Sequence, residues 1–236
     1  MQRICIAPAE RPPTLWSVTD IILLSDRRVA ATPVAENGEP LVDARRTAAL
    51  RVDARKADDD GSYAHVRSDV LRRLLLAQGA LPGGLRLLMV EGFRPPALQR
   101  DYFDAYTATL RAAHPDAPPS RIRELASAYI SPPEVAPHVS GGAVDLTLCT
   151  EDGEELPLGT EVNATPEESE GGCRTAAANI GAEARANREL MCRAMTVGGF
   201  VNYPTEWWHW SYGDRYWALA TGADAAKYGP AARPGS

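Results

Sequence analysis

Four histidines are all the imidazole this sequence contains, His65, His114, His138 and His209, so any metal centre has few nitrogen ligands to draw on. Val-Ser-Gly-Gly-Ala-Val separates His138 from Asp145, and the paired glycines permit the sharp turn that brings a loop imidazole and a strand carboxylate to one ion. That donor pair suits Zn²⁺ or a similar divalent cation. Towards the C-terminal end, Glu206-Trp207-Trp208-His209 sets a carboxylate three residues ahead of a further imidazole, in surroundings too aromatic for a simple exposed turn. A catalytic zinc site takes three protein ligands and leaves one position open for water; His138, Asp145 and His209 would supply the three. A histidine beside tryptophans is more often packed than metal-bound, and it is the His138–Asp145 spacing that moves His209 towards a ligand. His65, near the start of a helical pattern, and His114, before Pro115, are more simply surface or capping residues.

Several elements have to position these groups. Val66, Val70, Leu74 and Ala77 draw an apolar stripe at helical period over residues 63–78, with Gly79 suited to end the helix. The run LRLLMVEG at 85–92 suits a buried strand that delivers Arg94 to its end. Residues 97–113 contain good helix formers and stop at His114-Pro115, because the residue before proline avoids helical angles. A short helix is expected over 121–129 with Ser120 as its cap. In GGAVDLTL, Val144, Leu146 and Leu148 alternate with Ala143, Asp145 and Thr147, so the aliphatic set faces the core and Asp145 the other side. Residues 151–172 form an acidic, turn-rich surface loop, and a helix over 175–196 ends at Gly198-Gly199. FVNY, EWWHWSY and YWALATG have strand-like composition. VDAR occurs twice, ten residues apart, too few copies for a repeat architecture. The pattern implies an α+β domain whose helices flank a mainly antiparallel central sheet.

The chain has 236 residues, 44% of them hydrophobic, enough for one sizeable core, and a single domain over 1–236 is the expectation. Its net charge is −6 with basic and acidic residues interspersed, which excludes an electrostatic footprint for nucleic acid or an anionic membrane and points to a small-molecule partner. Neither a secretory leader nor a run of about 18 apolar residues is present, so a cytoplasmic protein is expected. Cys5, Cys149, Cys173 and Cys192 show no C-x-x-C spacing and are expected to be free thiols, with a Cys149–Cys192 or Cys173–Cys192 bridge disfavoured in that compartment. Oligomeric state is left open.

EGFRPP at 91–96, PHVSGGAVDLTL at 137–148 and EWWHW at 206–210 resemble, in order and spacing, the signature segments of the VanX-type D-alanyl-D-alanine dipeptidases, over roughly residues 63–219. Three separated motifs in the right order make a specific combination. The resemblance implies His138, Asp145 and His209 as zinc ligands, Glu206 as general base and Arg94 as electrophilic partner of the scissile carbonyl. It also implies the small α+β fold shared with zinc D,D-carboxypeptidases and the hedgehog signalling domain. The chemistry is coherent. Zinc lowers the pKa of a bound water to about 7, so Glu206 can take its proton and hand it to the leaving amine while Arg94 helps to stabilise the oxyanion. Arg94 also admits a structural role in a salt bridge.

Asn163, Ser140 and Trp208 are the candidate substrate contacts. Asn163, in GTEVN, falls where the family has an aspartate, and Ala136 where it often has a serine; in the dipeptidases these two residues are thought to hold the substrate's ammonium group. Losing that carboxylate costs several kcal/mol for a desolvated ammonium, unless Glu161, Glu167 or Glu168 replaces it. Three functions compete: a zinc dipeptidase for D-Ala-D-Ala or a similar dipeptide, a hydrolase of an N-blocked or unusual amide such as a biosynthetic intermediate, and a non-catalytic zinc-binding module. The presence of both Glu206 and Arg94 argues against the last, because a purely structural zinc site needs neither.

Overall fold

The computed structural model describes residues 21–127 and 129–232. Along them run α1 (Arg27–Ala31), β1 (Leu41–Asp43), β2 (Arg51–Val52), β3 (His65–Arg67), α2 (Ser68–Gly79), β4 (Leu85–Glu91), α3 (Pro96–Ala113), α4 (Pro119–Ser127), β5 (Ala143–Thr150), α5 (Ala182–Val197), β6 (Val201–Asn202), β7 (His209–Ser211) and α6 (Arg215–Thr221). Five strands make one sheet in the order β2-β4-β5-β7-β6. Only β2 and β4 pair in parallel; the other three pairings are antiparallel. β1 and β3 form a separate antiparallel pair. This is the α+β architecture with a mainly antiparallel sheet that the pattern predicts.

The alternation in β5 works as expected. Val144, Leu146 and Leu148 join Leu87 and Met89 of β4, Val70, Leu74 and Ala77 of α2, and Met191, Ala194 and Met195 of α5 in one buried cluster. Full burial of side chains this size contributes about 1.5–3 kcal/mol each, so this face fixes the register of β5. The opposite face of β5 is buried as well, and Asp145 is only 2% exposed there.

A bulge sets what meets Asp145. Met89 lies opposite Leu146, yet Glu91 lies opposite Asp145, so β4 spends two residues where β5 spends one. Strict alternation would put Glu91 on the core face with Met89. The extra residue instead turns it to the face of Asp145. Asp145 in turn lies opposite His209 of β7, so Glu91, Asp145 and His209 form a row across three strands.

Several elements depart from the sequence expectation. α2 begins at Ser68 rather than 63, because 65–67 pairs with β1 and the buried Arg67 guanidinium donates to the carbonyls of Ser140, Glu39 and Gly229. α4 begins at Pro119, which places Ser120 inside it rather than at its cap. α5 begins at Ala182 rather than 175: Thr175 is held by Pro204 and Asn202, its N–H donating to one carbonyl and its hydroxyl to Asn202 Oδ1. YWALATG is not a strand but mostly helix α6. Asp214 caps it by accepting from the Trp217 N–H, and Gly222, at φ +73°, ends it. Both VDAR copies make the same local turn, Asp43 and Asp53 each accepting the N–H of the arginine two residues on and pairing with its guanidinium. Cys149, Cys173 and Cys192 are free thiols; Cys5 lies outside the described residues. No helix among the described residues is long and apolar enough to cross a membrane.

Candidate metal centre and cleft

His138 sits in a short 3-10 turn, Pro137–Ser140, that leads into β5. Gly141 follows at φ +70°, where a side chain would be strained, and a Cβ on Gly142 would come within 2.6 Å of the Tyr212 carbonyl. One glycine is needed for conformation and the next for close approach. The turn delivers His138 Nε2 to 3.3 Å from Asp145 Oδ1 and 3.2 Å from His209 Nδ1, while His209 Nδ1 lies 3.0 Å from the same carboxylate oxygen. A tetrahedral zinc with bonds of about 2.0–2.1 Å has ligand-to-ligand edges of roughly 3.3 Å. The three side chains therefore already stand close to the spacing such an ion requires. All three are buried.

The tautomer of His138 is set by its other nitrogen. Nδ1 is 2.8 Å from the Gly92 carbonyl and donates to it, which leaves the Nε2 lone pair facing Asp145 and His209. Gly92 is needed for this, since a Cβ there would fall 2.4 Å from the His65 carbonyl oxygen. Burial opposes charge on Asp145, but His138 and His209 outweigh it and hold the carboxyl far below the usual carboxylate range. Burial likewise opposes protonation of His138, and Asp145 pulls its pKa above the ordinary imidazole value. Two imidazoles and a carboxylate converging in a buried site are the environment a divalent cation fits.

Beside the triangle lies a cleft of about 150 Å³, smaller than the roughly 300–1,000 Å³ typical of sites for drug-sized ligands. Glu206, Arg94, Asn163 and Trp208 all line it. The Glu206 side chain is 17% exposed, and its Oε2 lies 4.0 Å from His209 Nδ1. Burial pushes its carboxyl up to about 7, with Asp145 adding to the rise and His209 and Arg94 opposing it. That value suits a group exchanging protons near neutrality. Arg94 is held rigidly: Nε donates to Glu91 Oε1 at 2.7 Å, Nη2 to Oε2 at 2.5 Å and Nη1 to Gln99 Oε1 at 2.7 Å. Gln99 is fixed in turn by donating to the Ser131 carbonyl. Arg94 is thus held in an ion pair while it lines the cleft.

Ser140 does not line the cleft. Its buried hydroxyl donates to the Pro137 carbonyl and accepts from the Gly142 N–H, closing the turn beneath His138. Asn163 does line it, in left-handed backbone at φ +66°, and its carbonyl accepts from the Tyr129 hydroxyl. Glu161, Glu167 and Glu168 are not among the lining residues. His65, bonded to the Gly61 carbonyl, and His114, at the end of α3, stand apart from the triangle. Sequence reasoning missed Glu91, Gln99 and the cleft residues Lys56, Tyr102 and Tyr129; of these only Glu91 carried a signal, as the first residue of EGFRPP.

The family whose description is D-ala-D-ala dipeptidase matches residues 50–223. A D-alanyl-D-alanine dipeptidase of Synechocystis sp. is 26% identical over 225 residues, covering 80% of this chain and 87% of the relative. Two enzymes of the same name match over shorter stretches. That of Escherichia coli is 31% identical over 53% of this chain and 54% of its own length. That of Enterococcus faecium is 28% identical over 54% of this chain and 62% of its own.

Proposed function

The chain belongs to the D-ala-D-ala dipeptidase family and is a metallopeptidase, and from that premise we propose that it hydrolyses a small dipeptide such as D-Ala-D-Ala with one zinc ion held by His138, Asp145 and His209. The observation that carries this is Glu206, a carboxylate pushed up to about 7 and 4.0 Å from the ligand triangle, in the cleft that Arg94 also lines. Zinc at this centre would supply Lewis acidity to the scissile carbonyl and the attacking water. Glu206 takes the water's proton on its carboxylate and returns it to the leaving nitrogen, which is why a group titrating near neutrality is needed. Arg94 presents its guanidinium to the carbonyl oxygen as charge builds there. Glu91 and Gln99 keep it from swinging away, so little reorganisation accompanies the reaction.

A second reading changes the substrate, not the chemistry. The acidic residues lining the cleft are Asp145 and Glu206, both committed to the centre, and Asn163 supplies no charge. A substrate ammonium would be desolvated there without a dedicated counter-charge, which favours an N-blocked or unusual amide. Hydrolysis of D,D-, L,D- and L,L-dipeptides, each with free and acetylated amino ends, by the zinc-loaded protein tests both. Cleavage of none of them would refute the proposal.

A further inference from the structure

The chain has only two lysines, Lys56 and Lys227, among 25 basic residues. Lys227 is engaged elsewhere, donating to the Tyr212 hydroxyl and lying over the Tyr212 and Trp217 rings. Lys56 lines the cleft. The fold explains how it gets there. β2 and β4 run in parallel with Val52 opposite Met89, so the segments leaving them emerge at the same end of the sheet. Four residues beyond Val52 is Lys56; five beyond Met89 is Arg94. Both cations flank one aromatic ring, Lys56 Nζ at 5.8 Å and Arg94 Cζ at 5.2 Å from the centre of Tyr102.

The other charged groups lining this cleft each face a neighbour, Glu206 lying 4.0 Å from His209. Arg94 is paired with Glu91, and one Asp145 carboxylate oxygen lies 3.3 Å from the His138 imidazole and 3.0 Å from that of His209. Lys56 makes no ion pair with any described residue. Its acidic neighbour Asp58 turns its carboxylate instead to the N–H groups of Asp60, Ser62 and Tyr63. A partly buried ammonium facing a substrate cleft without a counter-ion calls for an anion from the ligand. A cleft this small takes a small ligand, and the anion that a dipeptide carries is its terminal carboxylate.

We propose that Lys56 is a specificity-determining residue that docks the free carboxylate of the substrate. It rests on the dipeptidase reading and deepens it: the cleft selects a free carboxyl end while making no matching provision for a free amino end. Two experiments test it separately. Reductive methylation with ¹³C-formaldehyde labels Lys56, Lys227 and the chain's α-amino group, and the zinc-loaded protein is titrated with D-alanine and with D-alaninamide. The Lys56 signal is expected to shift saturably with the acid and not with the amide, Lys227 serving as the stationary control. In the second, kcat/KM for D-alanyl-D-alanine is compared with that for its C-terminal amide in wild type, Lys56→Met and Lys56→Arg. A charge-assisted hydrogen bond corresponds to a ten- to hundredfold preference for the acid, which Lys56→Met should abolish and Lys56→Arg largely keep. A Lys56 signal indifferent to D-alanine, or an acid-to-amide ratio unchanged in Lys56→Met, overturns the proposal. If wild type cleaves no dipeptide, the dipeptidase reading falls, and the titration still decides on Lys56.

Discussion

Glu91 grips Arg94 with both carboxylate oxygens, three residues away at the far side of a strand end, and both side chains are largely buried, at 4% and 12% exposure. Burial opposes charge on each, yet the pair holds the Glu91 carboxyl below its ordinary value and Arg94 above its own. Removing one member of a buried ion pair leaves the other uncompensated and costs about 3 kcal/mol or more. Glu91→Gln should therefore destabilise the protein by that order in urea unfolding and lower kcat/KM about ten- to a hundredfold as Arg94 loses its aim. A wild-type rate in the folded variant would show that Arg94 needs no such support.

His138→Ala and His209→Ala should each purify without zinc, because two ligands cannot hold what three were placed to bind. Glu206→Gln should retain the metal and lose about 10²–10⁴-fold in rate, as befits a general base that is not a ligand. Metal analysis beside activity separates the two classes; full zinc in both histidine variants would remove the assignment.

The metal-free protein should lose stability between pH 4.5 and about 7 on account of Glu206. Its ordinary value is 4.5 and its folded value about 7. Below 4.5 both states hold the proton and nothing differs. Through the window the unfolded chain releases a proton that the folded protein keeps, so folding becomes less favourable as pH rises, by about 3 kcal/mol in all. Chelator-treated wild type and Glu206→Gln, unfolded in urea across this range, should diverge by that amount. Parallel curves would mean that Glu206 ionises normally.

Asn163→Asp should move preference towards substrates with a free amino end, about ten- to a hundredfold in the ratio of free to acetylated kcat/KM. Aspartate tolerates the left-handed backbone that Asn163 occupies, so the exchange tests charge and not strain. An unmoved ratio would place the amino end away from Asn163.

The parts of this site that lay in local motifs were legible. The two-glycine turn, the alternation of β5 and the Glu206-to-His209 spacing each carry their own physical reason, and the side chains they imply come together. What was not legible depends on pairing between distant segments. Glu91 is turned towards Asp145 by a bulge that no alternation pattern contains. The late start of α5 reflects bonds from Thr175 to residues beyond the helix, and that of α2 the pairing of 65–67 with β1. Lys56 reaches the cleft only because β2 pairs parallel to β4. The α6 error is different in kind, since Asp214 and Gly222 were readable caps outweighed by aromatic composition.

The separation of Asp145 and His209, 64 residues apart in the sequence, bears on how the chain folds. An ion shared by these residues acts on the unfolded ensemble as a cross-link. A link closing a loop of that length removes chain entropy equivalent to about 4 kcal/mol at room temperature. The enclosed stretch includes the irregular region after β5 and all of α5, the helix that seals the opposite face of the sheet. Loading the centre would thus hold the two ends of that excursion together, and metal supply would govern resistance to proteolysis in a segment that supplies none of the three ligands.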